Sequence, residues 1–386
     1  MKTTTKTILV IAMLLALTIT AQGRIKMVAL PERADTIIRL DNPNATLIEE
    51  ERVLTLQAGL NKVDFSWKAV SIDADSIRLT VLDHPSKVKL LNVSYPPGEA
   101  ALVWEVACDN KDGYAETVRI SYLLRNIDRL VTYKAIADKE ETKVNLKSYL
   151  VLRNFSGEDF DKVEVKLDYG KSFNKGIDHE ETKQMLFFGK PEVPITKIWT
   201  WDSGKLQWDP ENTPGKNIGV PVSYRIKNDK KSKLGEYALW GGKARIFQDD
   251  GSNSTIFLGE DRTGLVPVGE KTELYIGDSR DIVVTQRKMN ETRTNEIKNN
   301  ADRLIMYDMD ETVVAKIENF KDKPATLTMI QRIPGEWEMK DSNVNMKYEK
   351  INANTLKFEI TLPAREKDGP AKKELKMKYT RRHIRR

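Results

Sequence analysis

The sequence predicts an all-β protein built as two antiparallel β-sandwich-like domains with long strands and hairpins and little helix. Three observations carry this. Apolar and polar residues alternate with period two from one end of the chain to the other, and clusters of Gly, Asn, Asp and Ser separate the alternating runs. No window as long as about eleven residues spaces its apolar residues as a helix would.

The chain opens with Lys2 and Lys6, an uncharged run from Ile8 to Leu17, and Ala21-Gln22-Gly23. A charged start, a short apolar stretch and a small-x-small site form the layout of a secretory signal peptide. The run is shorter than the roughly 18 residues of a membrane span. Residues 1–23 are therefore expected to be removed near Gly23, leaving a periplasmic or extracellular protein with no transmembrane segment.

Residues 24–116 are expected to form an N-terminal β domain. In SIRLTVLD, Ile77, Leu79 and Val81 face one side, and NKDGY at 110–114 supplies a turn near the boundary. Residues 117–386 are expected to form a larger sandwich domain. KVEVKLDY sets Val163, Val165, Leu167 and Tyr169 against Glu164, Lys166 and Asp168. NTLKFEITL does the same with Leu356, Phe358, Ile360 and Leu362. FSGED (155–159), QDDGSNS (248–254) and EDRTG (260–264) read as turns, and WDPENTPGKN (208–217) as a long loop.

The formal net charge is +6, but residues 364–386 carry ten Lys/Arg against three Asp/Glu. The positive excess thus sits in a terminal segment rather than on the folded body, which argues against a nucleic-acid partner. Cys108 is the single cysteine, so no internal disulfide forms; within ALVWEVAC it reads as a buried thiol.

Several segments share an order found elsewhere. YLVLRNFSGEDFDKVEVKLDYG (149–170) is close to the form N-x-(S/T)-G-E-D-W followed by a strand, with Phe160 at the last position. ALWGGKARIFQDDG is followed by IFLGEDRTGLVPVGEKTELYIGDSRDIVVTQRK, with a Gly-Lys strand, a G-E-D hairpin, a P-x-G-E turn and a G-x-x-x-D-(I/V) strand. Together they resemble the mucoidy inhibitor A-like family of bacterial envelope proteins from about residue 117 onward. ATLIEEERVLTLQAGLNKVDFSWKAVSIDADSIRLTVLD resembles the small β domain that opens many members. The coiled coil usual between the two parts is lacking, because residues 95–120 are too short for it and carry no heptads. The resemblance implies an all-β envelope protein and brings no catalytic or binding residues with it.

Chemistry is most sharply suggested by RLIMYDMDETVV (303–314). Asp308, Asp310, Thr312 and Val313 have the spacing of a haloacid-dehalogenase-type nucleophile motif, in which Asp308 would attack phosphorus and Asp310 would act as acid and base. Such a site needs a parallel strand feeding a helix, whereas VVAKI and ATLTMIQRI continue as alternating strands. A solvated acidic strand end is the preferred reading over a phosphohydrolase or a Ca²⁺ site. YGKSF (169–173) ends like a phosphate loop but has Val165 where the first glycine belongs. His84, His179 and His383 show no metal-ligand spacing.

Two binding features remain. In KIWTWDSGKLQWDP, Trp199 and Trp201 share a strand face and Trp208 follows a turn. Exposed, they would stack on sugar rings; the ordinary burial of aromatic side chains favours core packing. At the C-terminus, Leu375, Met377 and Tyr379 alternate with charged residues in a final edge strand. Arg381, Arg382, Arg385 and Arg386 form a tail that is either simply solvated or in contact with an anionic envelope surface. The expectation is a non-enzymatic envelope protein, without cofactor or metal, that binds a protein or polysaccharide partner.

Overall fold

The computed structural model describes residues 26–42, 44–167, 172–213 and 219–385. The expected signal peptide, Arg386, and parts of the 169–173 and 208–217 segments lie outside them. Within them the architecture is all-β, with five sheets and only three short 3-10 turns. No helix among the described residues is long and apolar enough to cross a membrane.

The strands form where alternation predicted them. Thr355–Leu362 buries Leu356, Phe358, Ile360 and Leu362. The short strand Glu164–Lys166 has Val163, Val165 and Leu167 buried along it. Ile77 and Leu79 are buried beside and within Arg78–Val81. Cys108 is a free buried thiol at the end of Ala101–Cys108. At EDRTG, however, the expected turn is replaced by continuous strand, because Thr255–Thr263 pairs with Gly242–Asp249 up to Thr263.

Two compact units result, and they do not part at residue 116. One comprises the chain up to Arg129 together with Val151–Met185; the other comprises Leu130–Leu150 with Leu186–Arg386. The strand Tyr114–Leu124 spans the expected boundary and pairs along its whole length with Thr46–Leu56. The sheets are mixed rather than wholly antiparallel. Lys26–Val28 pairs parallel with Gly59–Ser66, Glu164–Lys166 with Asp35–Arg39, Thr196–Asp202 with Ala325–Arg332, and Gly242–Asp249 with Ile127–Ala137. These partners are distant in sequence, so no hairpin turn announces them.

In the second unit the core lies between two sheets. Thr196–Asp202, Val220–Lys227, Ala325–Arg332 and Thr355–Leu362 supply one face; Ile282–Lys298, Leu304–Asn319 and Ala371–Arg385 supply the other. Val313, Ala315 and Ile317 alternate inward along the central strand of the second sheet and are fully buried. Burying a large apolar side chain contributes about 1.5–3 kcal/mol, so this alternation fixes the register: a one-residue slip would turn the set outward.

Candidate functional site

The acidic motif is taken up by the sheet. Asp308 lies on Leu304–Asn319, between antiparallel neighbours, and is 5 % exposed. Its Oδ2 accepts from Asn295 Nδ2 at 2.8 Å and its Oδ1 from the His383 backbone N–H at 2.9 Å. Those two donors, Asn295 first, hold its carboxyl below the usual range. Asp310 accepts from Thr380 Oγ1 at 2.5 Å. Glu311 is buried, and burial alone would push its carboxyl up. The Tyr379 hydroxyl at 2.7 Å and the Lys288 ammonium at 3.1 Å outweigh that and leave it low. Burial and the Glu311 hydrogen bond push Tyr379 up. With both oxygens of Asp308 occupied and no helix following it, the nucleophile arrangement is not assembled. No cluster of three His, Cys, Asp or Glu suited to a metal ion occurs among the described residues.

The tryptophans are core. Trp199 and Trp201 are 3 % and 2 % exposed and belong to the inter-sheet cluster of the second unit, so neither offers a stacking face to a sugar. Trp208 is half-buried against the same cluster, its Nε1 donating to Ser203 O at 2.8 Å. Of the two readings the sequence left for Trp199 and Trp201, core packing rather than sugar stacking fits their burial.

The basic tail is strand rather than solvated tail. Ala371–Arg385 continues through Arg381, Arg382 and Arg385, and Glu336–Glu338 pairs alongside its end. Arg381 donates to Pro334 O at 3.1 Å and reaches Glu311 at 3.4 Å; Arg382 pairs with Glu338. The guanidinium groups of Arg381 and Arg382 are therefore committed within the unit.

The second unit does present a cleft, of about 600 Å³, built from segments far apart in the sequence. One wall is the turn between Ile127–Ala137 and Lys143–Asn154. Asp138 caps it, accepting from Thr142 N, Thr142 Oγ1 and Lys143 N at 2.7–3.0 Å. Burial would raise the Asp138 carboxyl, but these donors keep it low. Glu141, with φ +58°, accepts two bonds from Lys197 at 2.6 and 2.7 Å and one from the Tyr224 hydroxyl at 2.6 Å. The turn is thus rigidly tied to the sheet, and it carries Lys139 and Glu140 exposed into the cleft.

The facing wall is the turn after Leu304–Asn319. Fully buried Asn319 pins it, donating to Lys323 O at 3.2 Å and Pro363 O at 2.6 Å while accepting from Lys321 N at 3.0 Å. Phe320 N–H donates to Asp281 O at 2.9 Å. Pinned in this way, Phe320 remains 44 % exposed at the cleft. At the base, the Lys197 and Lys321 ammoniums lie 5.6 and 5.7 Å from the centre of the Trp199 ring. Lys197 is neutralised by Glu141 and Lys321 lies 3.6 Å from Asp281, while Asp322 pairs with Arg365 at 2.5 Å. The ammoniums of Lys139 and Lys323 have no ion-pair partner among the described residues. The cleft therefore combines a half-exposed ring with the uncommitted ammoniums of Lys139 and Lys323 and the carboxylate of Glu140, likewise unpaired among the described residues.

Of the residues singled out in the sequence, only Trp199 reaches this cleft, as buried base rather than stacking face. Lys139, Phe320 and Lys323 carried no motif, and nothing near them in the sequence signals that they converge. No known family model matches the chain and no curated protein matches it, so nothing beyond the sequence supports the family resemblance.

Proposed function

We propose that the chain is an exported, non-enzymatic cell-envelope protein that binds an acidic polysaccharide segment in the cleft of its second unit. The observation that carries this is the pairing of half-exposed Phe320 with the uncommitted ammoniums of Lys139 and Lys323 on rigid turns. An aromatic face packs against the apolar C–H face of a pyranose ring. Fixed cations attract the carboxylates of uronic-acid units, and the attraction weakens with salt. Asp138, Glu141 and Asn319 hold the two walls, so little ordering is required on binding. A volume of about 600 Å³ falls within the usual range of ligand clefts. The reading of export rests on residues 1–23.

Affinity electrophoresis through gels containing a polyuronate or a neutral glucan tests the binding. Retardation by the polyuronate alone, relieved by added salt, is the expected result; equal mobility in both gels would remove the proposal. Export is tested separately by N-terminal sequencing of the protein recovered from the host envelope, with a start close to residue 24 expected.

A further inference from the structure

We propose that the outer edge of the strand Ile282–Lys298 pairs antiparallel with the same edge of a second copy of this chain, about a two-fold axis at Thr292. The strand is 17 residues long and terminal in its sheet. Its first part is covered: Gln286 N–H donates to Trp208 O at 2.5 Å, and Arg287 pairs with Asp209 and Glu211. Beyond that point no strand lies on its outer side among the described residues. An edge strand keeps half of its backbone donors and acceptors turned away from its one neighbour, ready to pair with another chain.

Charge selects the register. Slips in pairing at Met289 and at Asn295–Glu296 leave residues 290–294 as a regular run, Asn-Glu-Thr-Arg-Thr. Paired antiparallel with itself about Thr292, this run sets Glu291 opposite Arg293 of the second copy, and Arg293 opposite its Glu291. Asn290 then faces Thr294. The next charged residues outward, Lys288 and Glu296, are again opposite in sign. A register centred on Arg293 would set that arginine against itself and Lys288 against Lys298; one centred on Glu291 would oppose two glutamates. Opposite charges directly across a strand pair stabilise it, and like charges destabilise it.

The isolated protein has a use for the added charge. Glu291 lies across the ladder from Glu311, and Lys288 bridges both, at 2.9 and 3.1 Å. Arg293 from a second copy would supply Glu291 with a second counter-ion. The exposed side chains of Met289 and Ile297 flank the run and would be partly covered. Two-fold pairing consumes the edge on both copies, so the assembly closes as a dimer rather than growing into a fibre. With a ladder this short the buried area is small, and the dimer is weak and concentration-dependent.

Sedimentation equilibrium of the whole chain, from about 10 µM to about 1 mM, tests the proposal. The wild type is expected to pass from monomer to dimer within that range. Arg293→Glu, which sets glutamates against one another twice per dimer, should weaken association at least about tenfold. The double exchange Glu291→Arg with Arg293→Glu restores opposite charges across the two-fold and should restore the dimer. Monomer throughout the range, association unaffected by Arg293→Glu, or failure of the double exchange to recover it would each overturn the proposal. Circular dichroism spectra matching the wild type verify that both variants are folded.

Discussion

Asn295 donates its side-chain amide to the carboxylate of Asp308 at 2.8 Å, across the point where two long strands slip out of register. Asn295 sits at φ +52°, a conformation that asparagine tolerates better than most residues. The His383 backbone N–H completes the arrangement from the third strand. Asp308 thus ties three strands together at a bulge. Asp308→Ala should cost about 1–3 kcal/mol, since it strips a buried acceptor from two donors. Urea unfolding measures the loss. A magnesium-dependent phosphatase assay should show the same background rate for wild type and Asp308→Asn.

Acid should unfold the protein partly through this cluster. The Asp308 and Glu311 carboxyls lie below their usual range in the folded state. A group with a depressed folded pKa contributes stability above its unfolded value, and that contribution is lost as pH falls through the folded one. Stability should therefore decline below about pH 4, the ordinary carboxylate range. Melting temperature against pH should fall less steeply in Asp308→Asn than in the wild type.

Glu311→Ala should cost about 1–3 kcal/mol, because it leaves the buried Tyr379 hydroxyl without its acceptor, whereas Lys288 keeps Glu291 at 2.9 Å. Tyr379→Phe, which keeps the ring, should cost about 1 kcal/mol. Chemical denaturation of the two variants separates a lost ion pair from a lost hydroxyl.

Trp201 and Phe320 should behave in opposite ways. Trp201→Ala opens a cavity in the inter-sheet core and should cost about 3–5 kcal/mol. Phe320→Ala lies at the surface and should leave stability within about 0.5 kcal/mol, while weakening polyuronate binding. Differential scanning fluorimetry and the binding assay together distinguish core from contact.

Alternation made the strands legible because a half-buried strand must alternate: Leu356, Phe358, Ile360 and Leu362 could be assigned to one buried face from spacing alone. Pairing was not legible where it is long-range. Trp199 lies parallel to Leu327, and nothing near either residue in the sequence signals the other. The same limit governs the cleft, since Lys139 and Lys323 converge only through sheet topology. The Asp308 motif misleads for the converse reason: its letters are local, whereas the chemistry they would perform depends on a parallel strand and a following helix that are not there. The basic residues at 381 and 382 likewise read as free charge until Glu311 and Glu338 are brought beside them.

Isothermal titration of the whole chain with a soluble uronic-acid oligosaccharide, comparing the wild type with the double variant Lys139→Glu, Lys323→Glu, measures directly whether the cleft binds an acidic sugar. The wild type should show saturable one-site binding, weakened at least about tenfold in the variant and in Phe320→Ala, with unfolding midpoints unchanged. Absence of heat with the wild type, or equal affinity in the charge-reversed variant, would contradict binding in the cleft.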